Sequence, residues 1–484
     1  RAKEVGLRKV VGSSRSQLLL QFITESLLIS GIALLLVLPL AQLATPFLNT
    51  LADTAIAFNK DSLGTIITFL IVALIVVGGL AGFYPALVLS RYKPITVLKG
   101  SFSSSGTGNL LRKTLVILQF TLSIALICLT LIVKKQMDYI QNKDLGYDRE
   151  QVLIVDMFDP SMGAKLDLFR SELLQHSAFT MAAISSNLPG RTFGRTGVRP
   201  EGAAAEDIWI WSTITVTPES LPTLGMEIKE GRNFSREMSS DTSGVVLVND
   251  IAIRKLGWDD PIGRRLYFGT QDSIGQQIIG VVEDFHFVDF SQPIEPVVIF
   301  PIRNRGKNVL AARIAPGMIP PAIEHAEKIW TQIYPDYPFS YGFMDDEFNA
   351  LYRQVTNTSS IMDIFAGLAI FIAALGLFGL VSHATTQRTK EIGIRKVVGA
   401  STATIVRILI LDFLRLVSLS ILIAVPIAWY GGTKWLESFV YRTSPGYGIF
   451  LIAGATALLI AIVTVSFQAI KAALANPVKS LRYE

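Results

Sequence analysis

Charge is scarce in this chain. Only 17% of its 484 residues are Asp, Glu, Lys or Arg, against about a quarter in an average soluble domain. The net charge of +5 is too small to be a nucleic-acid footprint. Cysteine is nearly absent. Cys128 stands alone, which excludes an intrachain disulfide framework and any cysteine-cluster metal site. It sits in an apolar run and reads as an inert buried thiol. Four histidines, His176, His286, His325 and His383, are scattered along the chain, and none forms an H-E-x-x-H pair. No G-x-x-x-x-G-K-[ST] loop occurs, so the chain cannot cradle nucleotide phosphates by that device. These absences argue against an enzyme: no catalytic, cofactor-binding or metal site is expected in this chain.

Apolar residues are abundant, making up half of the chain. A helix needs about 20 mostly apolar residues to cross a bilayer. Six stretches qualify: 17–43, 63–89, 114–133, 359–381, 404–430 and 447–470. The short segments 1–16, 90–113, 382–403 and 471–484 hold five, five, four and three Lys/Arg residues. Those on the other side, 44–62 and 431–446, hold only Lys60, Lys434 and Arg442. Basic residues in short loops stay cytoplasmic. Both ends are therefore predicted on the cytoplasmic side, and the long polar interval 134–358 outside.

The chain repeats itself. Residues 3–12 read KEVGLRKVVG and residues 390–399 read KEIGIRKVVG, identical at eight of ten positions. At the same offset of 387 residues, Glu25 falls on Asp412 and Pro39 on Pro426. Both units enter in the same sense, so this is a parallel duplication. The expected division is 1–100 as the C-terminal part of a first unit, 101–113 as a cytoplasmic linker and 114–133 as a membrane helix. Residues 134–358 then form the extracytoplasmic domain with helical stalks, and 359–484 the membrane part of the second unit. The repeat also predicts a further N-terminal part of the first unit, absent here, completing eight spans.

Within Lys390–Ala400, Ile394, Val397 and Val398 fall at i, i+3, i+4, while Arg395 and Lys396 lie off that stripe. Leu7, Val10 and Val11 beside Arg8 and Lys9 repeat the layout. A short amphipathic helix of this kind suits either a basic anchor on anionic lipid or a docking element for a cytoplasmic partner. Near-identity across the duplication favours docking, because anchoring needs charge but not sequence. The docking candidates are Lys3, Glu4, Gly6, Arg8, Lys9 and Gly12, with Lys390, Glu391, Gly393, Arg395, Lys396 and Gly399. Glu25 and Asp412 are intramembrane carboxylates near the cytoplasmic end, Asp412 with Arg415 at i+3; packing or local pairing is favoured over ion relay. Pro39 and Pro426 each remove a helix hydrogen bond and favour a kink. Gly78, Gly79, Gly82, Gly376 and Gly379 would permit close helix contact.

In the polar interval, β-rich runs at 151–156, 207–217, 244–250, 276–287, 296–302 and 308–314 alternate with helical stretches at 163–176, 218–224, 251–257 and 319–334. This predicts an α/β or α+β domain of two lobes, with 134–143 and 344–358 prolonging the adjoining spans as stalks. Glu283, Asp284 and His286 invite a metal reading. On a strand, however, Asp284 and His286 would share one solvated face, with Phe285 and Phe287 packed on the other. Two ligands make a poor site.

The loop segments KEVGLRKVVG and KEIGIRKVVGA resemble those of the FtsX/MacB-like ABC-transporter permeases. QMDYIQNKDLGYDREQVLIVD (136–156) and GVVEDFHF (280–287) are similar to that family's periplasmic core domain. The resemblance implies an α-helical polytopic protein of a bacterial cytoplasmic (inner) membrane with an extracytoplasmic α/β domain. It further implies a cytoplasmic ABC ATPase dimer as partner, with ATP and magnesium held there and none in this chain. ATP-driven closure would pass through the loops and long helices to the external domain, which would engage a periplasmic protein or a lipid-linked or peptide substrate. The other function it leaves open is a non-transporting regulator that activates a cell-wall hydrolase or senses peptides. Lacking a nucleotide loop, the chain departs from members with a fused ATPase.

Overall fold

A computed structural model describes residues 7–52, 60–90, 106–159, 161–242, 244–269, 272, 274–288, 290–302 and 306–474. It divides into a helical unit (Arg1–Val133, Asn357–Gly432, Pro445–Glu484) and an α/β unit (Lys134–Thr356, Thr433–Ser444).

The helical unit is built from α1 (Arg15–Ala52), α2 (Lys60–Ser90), α3 (Gly106–Asn142), α7 (Met344–Gln387), α8 (Thr389–Val397), α9 (Thr402–Leu436) and α10 (Tyr447–Leu474). Every one of these except α8 is long and apolar enough to cross a membrane, matching the six expected spans. Helices α3 and α7 run unbroken beyond the apolar stretches, to Asn142 and from Met344, as the stalk reading requires. Four helices share a core: Phe120 and Ile124 of α3, Leu377 and Val381 of α7, Val417 and Ala424 of α9, and Ala453, Ala457 and Ala461 of α10. Alanine recurs on α10 at every fourth position from 453 to 461 and again at 469 and 473. That spacing presents one smooth helical face, so neighbouring backbones can approach closely.

Helices α1 and α2 pack on each other through small residues. A Cβ at Gly78 would lie 2.8 Å from Leu27 Cδ2 and 3.2 Å from Leu27 Cα, and one at Gly82 would lie 3.0 Å from Ile23 Cα. Gly79 meets nothing within 4 Å. In the second unit, a Cβ at Gly376 would stand 2.8 Å from Gln119 Oε1, while Gly379 faces open space. The close-contact expectation therefore holds for three of the five glycines and is corrected for Gly79 and Gly379, which lie on faces no neighbour covers.

In the α/β unit the strands are β1 (Val152–Asp156), β2 (Phe179–Ser185), β3 (Gly194–Pro200), β4 (Trp209–Val216), β5 (Ile228–Gly231), β6 (Val245–Asn249), β7 (Arg265–Phe268), β8 (Gln276–Val282), β9 (Val297–Pro301), β10 (Val309–Ile314) and β11 (Gly342–Phe343). The longer helices are α4 (Leu166–Leu173), α5 (Asp250–Leu256) and α6 (Ile319–Ile333). The order β11-β1-β10-β2 forms one lobe. It joins the other at the single pair Ser185↔Val216. There β4-β3-β7-β8-β6-β9 closes on itself through the parallel pairing of β9 with β4. Side chains alternate as a pleated strand demands. Val246 and Val248 point to a cluster with Trp211, Leu266 and Ile253 of α5. Val245 and Leu247 point to a second cluster shared with the first lobe. On the far face of that lobe, Phe169 of α4 packs edge-on against Trp330 of α6, ring centroids 5.4 Å apart.

Candidate functional site

Two arrangements stand out. One is the repeated turn; the other lies within the α/β unit, around His286 and Phe290.

The turn is the same in both copies. In the second, Val398 N–H donates to Ile394 O, Gly399 N–H to Lys396 O and Ala400 N–H to Arg395 O. In the first, Val11 donates to Leu7, Gly12 to Lys9 and Ser13 to Arg8, each displaced by 387 residues. Gly12 and Gly399 both sit at φ +100°, a conformation a Cβ disfavours. Next comes a helix cap: Gln17 N–H donates to Ser14 Oγ and Thr404 N–H to Ser401 Oγ, opening α1 and α9. Ser14 and Ser401 were not among the sequence candidates, although a serine ahead of each span was a legible capping signal.

Much of the motif's near-identity is thereby explained locally. Arg395 pairs with Glu391 at 2.6 Å, one helical turn away. Lys396 Nζ donates to Ala473 O at 2.8 Å near the end of α10, where a cation suits the helix dipole. Gly393 is buried. In the first copy, Arg8 donates to Gln21 Oε1, and Lys9 is half-buried. Lys3, Glu4 and Gly6 lie outside the described residues, and Lys390 is placed only as part of α8. What remains is the apolar stripe, and it faces outward in both copies. Val11 and Val398 are 81% and 82% exposed, and Leu7, Val10, Ile394 and Val397 are exposed too.

The intramembrane acids are less alike than their registers suggest. Asp412 pairs with Arg388 at 2.8 Å, while the i+3 partner Arg415 stands 3.9 Å away. Sequence spacing could identify Arg415 but not Arg388, which the turn brings back from 24 positions earlier. Glu25 is half-buried in α1, and Pro39 and Pro426 lie on exposed faces of continuous helices. Arg388 precedes α8, so Asp412 is tied to the start of the second repeated segment.

Within the α/β unit, three segments converge on the cluster that holds Phe285, Phe287 and Phe290. The end of α3 contributes Met137 and Ile140; the first turns of α7 contribute Met344, Phe348 and Tyr352; the α9–α10 loop contributes Phe439. Phe290 N–H donates to Tyr352 OH at 2.9 Å, and Val440 N–H donates to Phe290 O at 3.1 Å. Arg191 donates to Asp156 and to Glu347 in the first turn of α7, tying that helix to β1. Both carboxylates hold the guanidinium strongly in its charged form.

Here the strand expectation is corrected. β8 ends at Val282, so the alternation inferred for 283–287 does not apply. His286 is buried alongside Phe285 and Phe287 rather than solvated. Its ring lies 4.4 Å from that of Phe290 and 4.7 Å from that of Tyr441. Burial, aided by Lys143, pushes the imidazole down to about 4, so it packs as a neutral aromatic. Asp284 accepts from Ile251 N–H at the start of α5 and pairs with Arg254. Among the described residues no three His, Cys, Asp or Glu side chains cluster as a metal site.

The FtsX-like permease C-terminal model matches residues 1–94 and 364–477, and the MacB-like periplasmic core domain model matches 122–326. The chain is 24% identical over 271 residues to macrolide export ATP-binding/permease protein MacB 2 of Aeromonas hydrophila, covering 54% of this chain and 41% of that protein. It is 27% identical over 133 residues to the ABC transporter permease YknZ of Bacillus subtilis, covering 26% of this chain and 32% of that protein. The periplasmic region of MacB from Actinobacillus actinomycetemcomitans aligns at TM-score 0.31 and 11% identity, over 44% of this chain and 97% of that structure. The chain spans about two fifths of the length of the MacB proteins it matches.

Proposed function

Because the chain belongs to the FtsX/MacB-like ABC-transporter permeases, we propose that it is the inner-membrane subunit of an export or mechanotransmission complex. A separate cytoplasmic ATPase dimer drives it, holding ATP and magnesium; this chain performs no chemistry. Both chain ends lie on the cytoplasmic side in this reading, and the α/β unit lies outside, where it engages a periplasmic protein or a lipid-linked or peptide substrate. Nucleotide-driven closure moves the repeated turns, and the helices that follow them carry the movement to the α/β unit.

One observation supports this reading above the others. The same turn, fixed by the same glycine, presents the same two valines to solvent in both units. Covering an exposed valine stabilises by about 1.5–3 kcal/mol, so four of them supply a substantial share of a docking interface. Two equivalent turns also match a dimeric partner, which offers the same pocket twice. A lipid anchor would exploit the cations, yet Arg395 and Lys396 are engaged inside the unit.

The test is capture of the ATPase by the full-length protein in detergent. Val10, Val11, Val397 and Val398 changed together to Asp abolish capture, while charge reversal at Arg8, Lys9, Arg395 and Lys396 weakens it. An ATPase recovered equally with every form would sink the turn as the docking site. No ATPase recovered with the unaltered protein would sink the permease reading itself.

A further inference from the structure

The last turn of α9 and the loop that follows it, Thr433–Ser444, belong to the same compact unit as Lys134–Thr356 and not to the helical unit that holds most of α9 and α10. The loop's attachment is specific. Gln136 of α3 is fully buried, and its side-chain amide is used at both ends. Its Nε2 donates to Tyr441 O at 2.9 Å, and its Oε1 accepts from Thr443 N–H at 2.8 Å and from Thr443 Oγ1 at 3.3 Å. A glutamine that takes both a carbonyl and an N–H from one stretch of backbone acts as a short strand would. It holds one register of the loop and no other. Lys135 Nζ adds a bond to Ser444 O at 3.1 Å.

From the opposite side, Phe290 O accepts from Val440 N–H. The Tyr441 ring meets the packed rings of His286 and Phe290 edge-to-face, at 85° and 89° to them, with Lys143 Nζ 5.1 Å from its centroid. Phe439 is buried in the core cluster, and Trp435 packs against it. The loop is thus gripped by α3 on one side and by residues 286–290 on the other, while α9 and α10 continue directly from its ends. Opening it would strand a buried amide and unpack two aromatic rings, a costly combination.

We propose that this clasp stays shut through the working cycle and is the rigid link by which α9 and α10 move the α/β unit, with Gln136 and Tyr441 as its positioning residues. The inference rests on the ATP-driven reading above and adds a second route for force beside the α3 and α7 stalks.

The full chain with its ATPase in lipid nanodiscs tests it. Hydrogen exchange at Val440, Tyr441 and Thr443 is compared between the nucleotide-free complex and the complex trapped with ATP and vanadate. A nitroxide pair on Ile210→Cys and Ile67→Cys, both exposed, in a Cys128→Ala background, reads movement of the α/β unit against α2, which the clasp does not hold. Protection is the same in both states of the native clasp. In Gln136→Ala and in Tyr441→Ala, exchange accelerates about tenfold or more. In both variants the nucleotide-dependent distance change also shrinks at least about twofold while ATP hydrolysis continues. Tyr441→Phe, which keeps the ring, behaves as the native protein; if Gln136→Ala does not assemble, the Tyr441 pair carries the comparison. A clasp that loses protection on vanadate trapping, or clasp variants that move fully, would overturn the inference alone. An unaltered complex that shows no nucleotide-dependent movement would overturn the ATP-driven reading and the clasp with it.

Discussion

The helix pair α1–α2 and the helix pair α9–α10 descend from one repeat, and the structure places them in different surroundings. Each begins with the same glycine-fixed turn and the same serine cap, and in the first pair Gly78 and Gly82 of α2 close against α1. The second pair is then covered by α3 and α7, so that Val417, Ala424 and Ala461 are fully buried. In the first pair, only Leu18 and Phe22 form a buried cluster among the described residues. The difference separates two levels of information. A turn and a cap are encoded in a few adjacent residues and travel with the repeat. Burial depends on what else is present.

Substitutions can break or sharpen this contrast. The largest effect is expected at the shared core: Ala461→Phe on α10 forces bulk between packed backbones and destabilises by about 3 kcal/mol. Thermal unfolding in detergent should show it as a clear drop in Tm, whereas Leu80→Phe on the exposed face of α2 should leave Tm in place. Next comes the α1–α2 contact. Gly78→Leu must push against Leu27 and is expected to cost about 1–3 kcal/mol. Gly79→Ala, one residue on and facing open space, should be neutral or stabilising by up to about 1 kcal/mol. If both behave alike, the pairwise contact is not what the small residues are for.

The turn itself offers an internal control. Gly12→Ala and Gly399→Ala each impose a Cβ on a left-handed backbone and should each cost about 1 kcal/mol. Equal losses by melting would mark the turn as a property of the repeat. A loss confined to Gly399 would mean that the second turn's own contacts, such as Lys396 with Ala473, matter more than the shared backbone. The smallest effect belongs to Asp412→Asn, which breaks the half-exposed pair with Arg388 and should cost under about 1 kcal/mol. A collapse of stability in that variant would reassign Asp412 from local pairing to a structural centre.

The legible part of the molecule follows the same division. Six spans were readable because a membrane helix announces itself by composition over 20 residues. Strands such as β6 and β9 were readable because Val245–Asn249 and Val297–Pro301 are rich in β-branched residues. Strand β2, with its alanines, and β3, with Gly194, Gly197 and Pro200, carry little such signal; they are strands because long-range partners on either side supply the hydrogen bonds. The run 276–287 was read as one strand because its apolar pattern continues past Val282, although the ladder stops there. Of the docking candidates, Arg395 and Lys396 looked free on a helical projection. Only the fold shows Lys396 turned back to α10.

Six apolar stretches long enough to span, the parallel repeat and the apolar stripe of the repeated loop were all legible in contiguous residues or in a near-copy of them. Only the tertiary structure decided that Arg388 is Asp412's nearer partner, that His286 is a neutral core aromatic, and that Gln136 grips a loop some 305 positions away. Each of these depends on which distant groups are brought within about 3 Å, and a hydrogen bond or a desolvated ring leaves no periodic trace in the chain that forms it.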